Sequence, residues 1–301
     1  MSVTLKRKHH YVWRKYLNAW STNSQIWCMR GNHIFQSELM GIGQKRDFYK
    51  IKSLEYEDVR YLKLMISKMD PRAQVTSRRW VSFFEQITST NKYMNSGDSE
   101  LDKLAKEILH NTEEDLYAST ESSYTPILNS LLNHDFSSLS TEIGRFNFLH
   151  YVFNQYFRTL KMQERMIRYT QPPAALGNPN LENCWPILRH IFSDNMTLSL
   201  TSDSSYKLFA LHNENVTKLL SGDQPVINTY AIGKPNSEPV YEIEIYYPIS
   251  PNLAIIMSNN DKWVGKKHLS QDEVEFFNRA IIAESADQVY SKDRSTLEFY
   301  S

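Results

Sequence analysis

Gln25-Ile26-Trp27-Cys28-Met29-Arg30-Gly31-Asn32-His33-Ile34-Phe35 holds two extended, mostly apolar runs on either side of a turn. Gly31-Asn32 supplies the positive φ angles that a tight connection between antiparallel strands needs, so the stretch is expected to be a hairpin. A second extended piece, Arg46–Ile51, follows the loop Met40-Gly41-Ile42-Gly43. The entry to the chain is therefore β-rich. From Glu55 the period changes: Val59, Leu62, Met65 or Ile66 and Met69 recur at helical spacing until Asp70-Pro71 ends the run. Further helices are expected at Arg79–Ile87, Leu101–Tyr117, Pro126–Leu132 and Thr141–Arg168, with the polar stretch Thr88–Ser99 as an exposed loop.

Past Gln171-Pro172-Pro173 the pattern returns to strands, at Met196–Leu200, Tyr206–Leu211, Val216–Leu220, Tyr241–Tyr246 and Leu253–Met257. In Tyr241-Glu242-Ile243-Glu244-Ile245 the alternation predicts a buried face of Tyr241, Ile243 and Ile245 and a solvated face carrying both glutamates. A capping box, Ser270-Gln271-Asp272-Glu273, opens a last helix expected over Ser270–Tyr290. The order β, α, β, final helix predicts an α+β fold, in which an antiparallel sheet from the N- and C-terminal strands packs against a central helical region. One domain over residues 1–301 is expected, β-rich to 52, helical over 53–170, and β-rich with the final helix over 171–301.

Composition narrows the function classes. Lys plus Arg and Asp plus Glu both number 34, so no global field draws the chain to a polyanion and any nucleic-acid contact must be a local patch. The two cysteines, Cys28 and Cys184, form no C-x-x-C pair, which points away from a zinc knuckle or disulfide framework and toward a reducing cytoplasm. The basic start lacks the apolar core of a signal peptide, and the richest apolar run, Leu253–Met257, is too short to span a bilayer, so neither secretion nor a membrane is expected. With nine glycines and no P-loop, G-x-G-x-x-G, G-x-S-x-G or kinase signature, nucleotide-driven motors and dehydrogenases are disfavoured. Aromatic residues bunched at Trp80–Phe84 and Phe146–Phe157 fit a thick core better than base stacking.

Several blocks together resemble a known family. His9-His10-Tyr11-Val12, Tyr16-Leu17 and Trp20 look like the N-terminal signature of the domain-of-unknown-function family 4238, found widely in bacteria. Gln25-Ile26-Trp27 and Arg46-Asp47-Phe48-Tyr49 are similar to its hairpin and following strand, and Asn154-Gln155 with Arg158 to its central helix motif. Ser221-Gly222-Asp223-Gln224-Pro225-Val226, Tyr247-Pro248-Ile249-Ser250-Pro251 and Asn278 continue the match in order. Trp13-Arg14 departs from the family pattern where a proline is commoner, and Gly222 where a serine is commoner, which weakens a serine nucleophile there and leaves Asp223 untouched. The resemblance implies positions rather than chemistry.

The candidate site residues are polar groups at places that otherwise read as apolar. Gln155, Arg158, Met162 and Arg165 share one stripe of the aromatic-rich central helix, and a guanidinium there needs an anion. Arg158 holds either a ligand phosphate or carboxylate, or an internal partner such as Asp223. Asp223 follows an expected strand: it is either an Asx-turn acceptor or a general base or metal ligand at a strand end. Of the neighbours His9 and His10 only one can face inward; His10 fits the family motif better and is a candidate proton shuttle or metal ligand, against a solvated surface histidine. Glu113 is a candidate partner of Arg158 or the histidine, against a solvated flanking carboxylate, and Asn278 a binding amide, against a structural lock. Lys6, Arg7, Lys8, Arg14 and Lys15, interleaved with Tyr11, Trp13 and Tyr16, suit a nucleic-acid backbone or serve as a solubilising tail.

These residues lead to the expectation of a phosphodiester hydrolase, a nuclease-like effector in a bacterial toxin or phage-defence setting. His10, Asp223 and Arg158 are its catalytic candidates and Gln155, Asn278 and Glu113 its substrate-binding candidates, with a divalent metal as a candidate cofactor and nucleic acid as partner. The alternatives are a non-catalytic binding module in which the same groups tie the sheet to the helix, and a sensor of a small anionic ligand.

Overall fold

The computed structural model describes residues 5–235 and 238–301; the first four residues of the basic lead lie outside it. Strand β1 (Lys8–His10) runs into the short helix α1 (Arg14–Leu17), and the hairpin β2 (Gln25–Arg30) and β3 (His33–Glu38) follows, turning on Gly31 at φ +54°. Strand β4 (Gln44–Arg46) returns to pair antiparallel with β1. The helical middle comprises α2 (Tyr56–Ser67), α3 (Pro71–Thr88), α4 (Ser99–Leu132), α5 (Glu142–Phe157), α6 (Leu160–Tyr169) and α7 (Leu181–Ser202). Then come β5 (Lys207–His212), β6 (Ser221–Gly222), β7 (Ile227–Asn228), β8 (Ile245–Ser250), β9 (Leu253–Ser258), α8 (Gln271–Glu284), β10 (Val289–Ser291) and α9 (Arg294–Tyr300).

The fold is α+β, and every strand pairing within its sheets is antiparallel. The N-terminal hairpin and the C-terminal strand do meet: β10 pairs with β2 and β6 in a sheet of order β3-β2-β10-β6. The remaining C-terminal strands, expected in that same sheet, form a separate one of order β5-β9-β8-β7. An apolar cluster including Tyr16, Trp20, Tyr124, Tyr151, Phe153 and Tyr247 packs α1, α4 and α5 against β8 and β9. A second lies between the sheets and α8, and a third holds α2, α3 and α7 together.

Several sequence expectations give way. Met196–Leu200 is helical, inside α7, because a short apolar run has no period that separates a strand from a turn of buried helix. Leu101–Tyr117 and Pro126–Leu132 are parts of one helix, α4, which continues through Pro126 while Ser122 and Thr125 return their hydroxyls to the carbonyls four residues back. The central helix, in contrast, breaks after Arg158, where the Thr159 side chain accepts the Met162 N–H and restarts the chain as α6. Val216–Leu220 is irregular, and the strand begins only at Ser221. The last helix stops at Glu284, its capping box formed as expected, before the chain enters β10.

The faces expected at Tyr241–Ile245 hold only in part: Ile243 and Ile245 pack on the core and Glu242 is exposed, but the strand begins only at Ile245. Tyr241 is exposed and Glu244 is buried, because its carboxylate collects Thr229 Oγ1, Ser258 Oγ and Trp263 Nε1, each at 2.8 Å, and Lys262 Nζ at 3.1 Å. Four donors compensate the desolvation that would otherwise keep a carboxylate at the surface. Among the described residues no helix is long and apolar enough to cross a membrane.

Candidate functional site

Pleating sends His9 and His10 to opposite sides of β1. His9 is the buried one: its ring stacks on Tyr49, Nδ1 accepts the Tyr49 N–H at 2.7 Å and Nε2 meets the Lys6 carbonyl at 2.6 Å. His9 therefore clamps the strand. His10 faces a cavity of about 400 Å³ between the β1–α1 turn and α4, lined also by Trp13, Arg14, Lys15, Asn18, Glu114, Tyr117 and Glu121.

Helix α4 supplies the acids. Glu114, Tyr117 and Glu121 fall on one stripe, three and four residues apart, so the helix presents two carboxyls to the cavity with a phenol between them. Burial pushes the Glu114 carboxyl up to about 7, the Arg158 charge only partly opposing it. Burial, aided by the Arg14 and Arg158 charges, pushes His10 down to about 4. At neutral pH the cavity thus holds an uncharged imidazole beside a carboxyl near its midpoint of protonation.

Behind the wall stands Arg158, 2% exposed. Its Nη1 lies 2.8 Å from Glu121 Oε1, and Nε and Nη2 donate to Gln155 Oε1 at 3.1 and 2.7 Å. Gln155 in turn donates to the Tyr11 carbonyl at 2.8 Å, which ties α5 to the segment carrying His10. The guanidinium sits 4.9 Å from the Tyr117 ring centroid, and that ring also lies 5.5 Å from a second buried guanidinium, Arg189. Burial opposes the charge on Arg158, and the Glu121 carboxylate with the Tyr49 and Tyr151 hydroxyls together outweigh it.

Arg189 leads to Glu113, placed deeper than expected. Glu113 is fully buried; its Oε2 meets Arg189 Nη2 at 2.7 Å and His190 Nε2 at 3.1 Å. Arg189 and His190 together hold the Glu113 carboxyl low against its burial. Its partners are thus neither Arg158 nor His10.

Asp223 stands apart. Its Oδ1 accepts the Ala286 N–H at 2.7 Å and its Oδ2 those of Asp287 and Gln288 at 2.8 and 3.0 Å, so it ties the end of α8 to β6 rather than pairing with Arg158. Burial raises its carboxyl to about 6 against those three bonds. Asn278 is likewise engaged: Oδ1 accepts the Leu220 N–H at 2.8 Å, and Nδ2 donates to the Lys218 carbonyl and the Tyr300 hydroxyl. Of the six candidate residues, then, His10, Arg158 and Gln155 come together at one wall, while Glu113, Asp223 and Asn278 lie in other polar clusters. Among the described residues no group of three or more His, Cys, Asp or Glu side chains is placed to hold a metal ion.

The residues sequence reasoning missed are Glu114 and Glu121. The match to a family model runs through this wall and on to the end of α8 and β10, over residues 8–183 and 187–295, under the description "Protein of unknown function (DUF4238)". The chain belongs to that family. Both His10 and Glu114, with Arg158 and Gln155 behind them, fall inside the segment matched to the DUF4238 model, as do Asp223 and Asn278. No curated protein and no solved structure matches the chain.

Proposed function

We propose that the cavity between β1, α1 and α4 is an acid–base site that hydrolyses phosphodiesters, with single-stranded nucleic acid as the substrate class and an effector role in bacterial toxin or defence systems as its setting. The observation that carries this reading is the placement of unlike groups around one cavity: an imidazole neutral at pH 7 and a carboxyl about half protonated there. Divergent environments of that kind separate a general base from a general acid. His10 takes a proton from water as the water oxygen attacks phosphorus, and the Glu114 proton goes to the leaving oxygen as the P–O bond breaks. Arg14 and Lys15 at the mouth meet the non-bridging oxygens, and Trp13, half-buried beside them, offers a base an aromatic face. Arg158 and Gln155 position the wall from behind.

The test is hydrolysis of single-stranded DNA and RNA by the purified chain, with and without Mg²⁺ or Mn²⁺. His10→Ala and Glu114→Gln are expected to lower turnover about 100-fold or more each without lowering the melting temperature, and Arg14→Ala to raise KM. A wild-type chain inert on every substrate, or one indifferent to His10→Ala, removes the reading. The non-catalytic module has its own support, since Arg158 is matched by Glu121 within the fold and Gln155 ties α5 to the segment after β1. It predicts no turnover of any ester and a loss of stability, without loss of a bound anion, when Arg158 is replaced.

A further inference from the structure

Strand β5 is an edge strand: among the described residues β9 is the one strand it pairs with. Its antiparallel register, Lys207 opposite Ser258 and Leu211 opposite Ala254, together with the Asn213 N–H donating to the Asn252 carbonyl, turns the backbone groups of the odd-numbered residues toward β9. Those of Tyr206, Leu208, Ala210 and His212 therefore point outward. The two ends of this outward row are already occupied. At one end the Tyr206 carbonyl accepts Arg145 Nη2 at 2.8 Å. At the other, the His212 N–H donates to the Lys267 carbonyl at 2.8 Å and its carbonyl accepts the Leu269 N–H at 2.9 Å, a single parallel bridge with the segment before α8. Between these caps, the outward N–H and C=O of Leu208 and Ala210 have no partner among the described residues.

The open stretch borders a cavity of about 470 Å³ lined by Phe136, Leu139, Arg145 and Lys207 among others. Leu208 and Ala210 pack with Phe136 and Leu139 on one face of the sheet, and Lys207 alternates to the face that carries Phe209 and Leu211. Both cations are uncommitted to any carboxylate at ion-pair distance among the described residues. Burial lowers the Arg145 pKa more than the field of Asp203, its nearest acidic influence, raises it. An exposed edge offering four backbone groups is a template for another strand, and proteins ordinarily block such edges. Here it is blocked at both ends and open in the middle, flanked by two cations of which Arg145 donates only to the Leu200 and Tyr206 carbonyls and neither meets a carboxylate among the described residues.

We propose that the middle of β5 is a docking edge for an extended acidic peptide, which adds as a short strand against Leu208 and Ala210 and sets carboxylates of neighbouring residues on opposite faces, one toward Arg145 and one toward Lys207. The site is separate from the His10 cavity and independent of any reaction there. The segment at Lys267–Leu269 marks the path, since it already pairs with the same edge at His212, two residues beyond Ala210.

The probe is an N-acetylated hexapeptide Val-Glu-Glu-Val-Glu-Glu carrying a fluorophore, whose neighbouring glutamates face both sides of an added strand, with Val-Lys-Lys-Val-Lys-Lys, inorganic phosphate and free glutamate as controls. Fluorescence anisotropy is expected to show binding of the acidic peptide alone, weakening as salt is added, with the amide exchange of Leu208 and Ala210 slowed in the complex. Lys207→Glu, a change at an exposed side chain, is expected to lower the affinity at least tenfold. Leu208→Pro removes an outward N–H that β9 does not use and is expected to abolish binding; a melting curve shows whether it folds, and Lys207→Glu decides where it does not. Equal binding of the lysine peptide, no change in exchange at Leu208 and Ala210, or the same protection from phosphate or free glutamate would each overturn the proposal, the last by making the site one for a small anion.

Discussion

Arg158 Nη1 lies 2.8 Å from Glu121 Oε1, and the guanidinium is 2% exposed. A pair this deep gains less than its Coulomb energy suggests, but removing one partner strands the other in a low-dielectric interior. Glu121→Ala is therefore expected to destabilise the protein by about 3–5 kcal/mol, while the double change Glu121→Leu with Arg158→Met, which removes both charges, costs clearly less. Urea unfolding of the two variants measures this. Equal losses would mean that Arg158 draws its stabilisation from Gln155 and the Tyr117 face instead.

Glu114 ties stability to pH. Its folded carboxyl is raised from 4.5 to about 7 by burial, so the folded state binds the proton more tightly than the unfolded state. For a raised pKa the contribution is fully present below the unfolded value and disappears as pH rises through the folded one. Unfolding free energy is thus expected to fall by up to about 3 kcal/mol between pH 4.5 and pH 8 through this group, and Glu114→Gln to flatten that slope. On the proposed reaction, kcat/KM follows the same limb downward above pH 7 and falls again below pH 4, where His10 gains its proton. A slope unchanged by Glu114→Gln would place the titration elsewhere.

Much of the fold was legible because local signals were consistent: the Gly31 turn, the helix from Glu55, the Ser270 capping box and the strands around Phe209 and Ile255 all formed. The candidate site was legible on its β1 and α5 sides and not on α4. Tyr117, Glu121, Tyr124, Leu128 and Leu131 repeat at spacings of four and three, so a carboxylate stood visibly on a core stripe. Ending the helix at Tyr117 cut Glu121 out of that stripe. Arg189 and His190 were hidden for a related reason, since α7 was not anticipated at all. Glu244 shows the other limit: period-two alternation assigns faces, and it cannot foresee that four donors from three segments will draw one carboxylate inside.

Asp223 holds three backbone N–H groups of the turn between α8 and β10. Asp223→Ala leaves them buried or half-buried without that acceptor, and charged acceptors are the costly ones to lose. A loss of about 3 kcal/mol is expected, read as an earlier thermal transition with faster amide exchange at Ala286–Gln288. The group also titrates: burial lifts its folded pKa from 3.8 to about 6, so its own contribution to stability declines as pH rises through that range. If Asp223→Ala melts like the wild type yet abolishes phosphodiester hydrolysis, a role at the reacting atoms replaces this structural one.

Gly222 closes the short strand β6, and the packing there decides what a side chain would meet. A Cβ built there comes within 2.1 Å of Ser285 Oγ, 3.2 Å of Ile281 Cγ2 and 3.3 Å of the Gln288 carbonyl. The close approach follows from β6 pairing with β10, opposite Val289, while the end of α8 crosses over it. Gly222→Ala is expected to destabilise by about 1–3 kcal/mol through overpacking. Most of that loss is assigned to one atom, since only the Ser285 hydroxyl lies closer than a real contact permits and it is held by its own bond to the Ile281 carbonyl. Ser285→Ala alone should cost about 1 kcal/mol for that bond, and the double variant Gly222→Ala with Ser285→Ala should be more stable than Gly222→Ala alone. A double-mutant cycle in urea checks the coupling; additive losses would mean that Ile281 and the β10 backbone, not the hydroxyl, set the requirement for glycine.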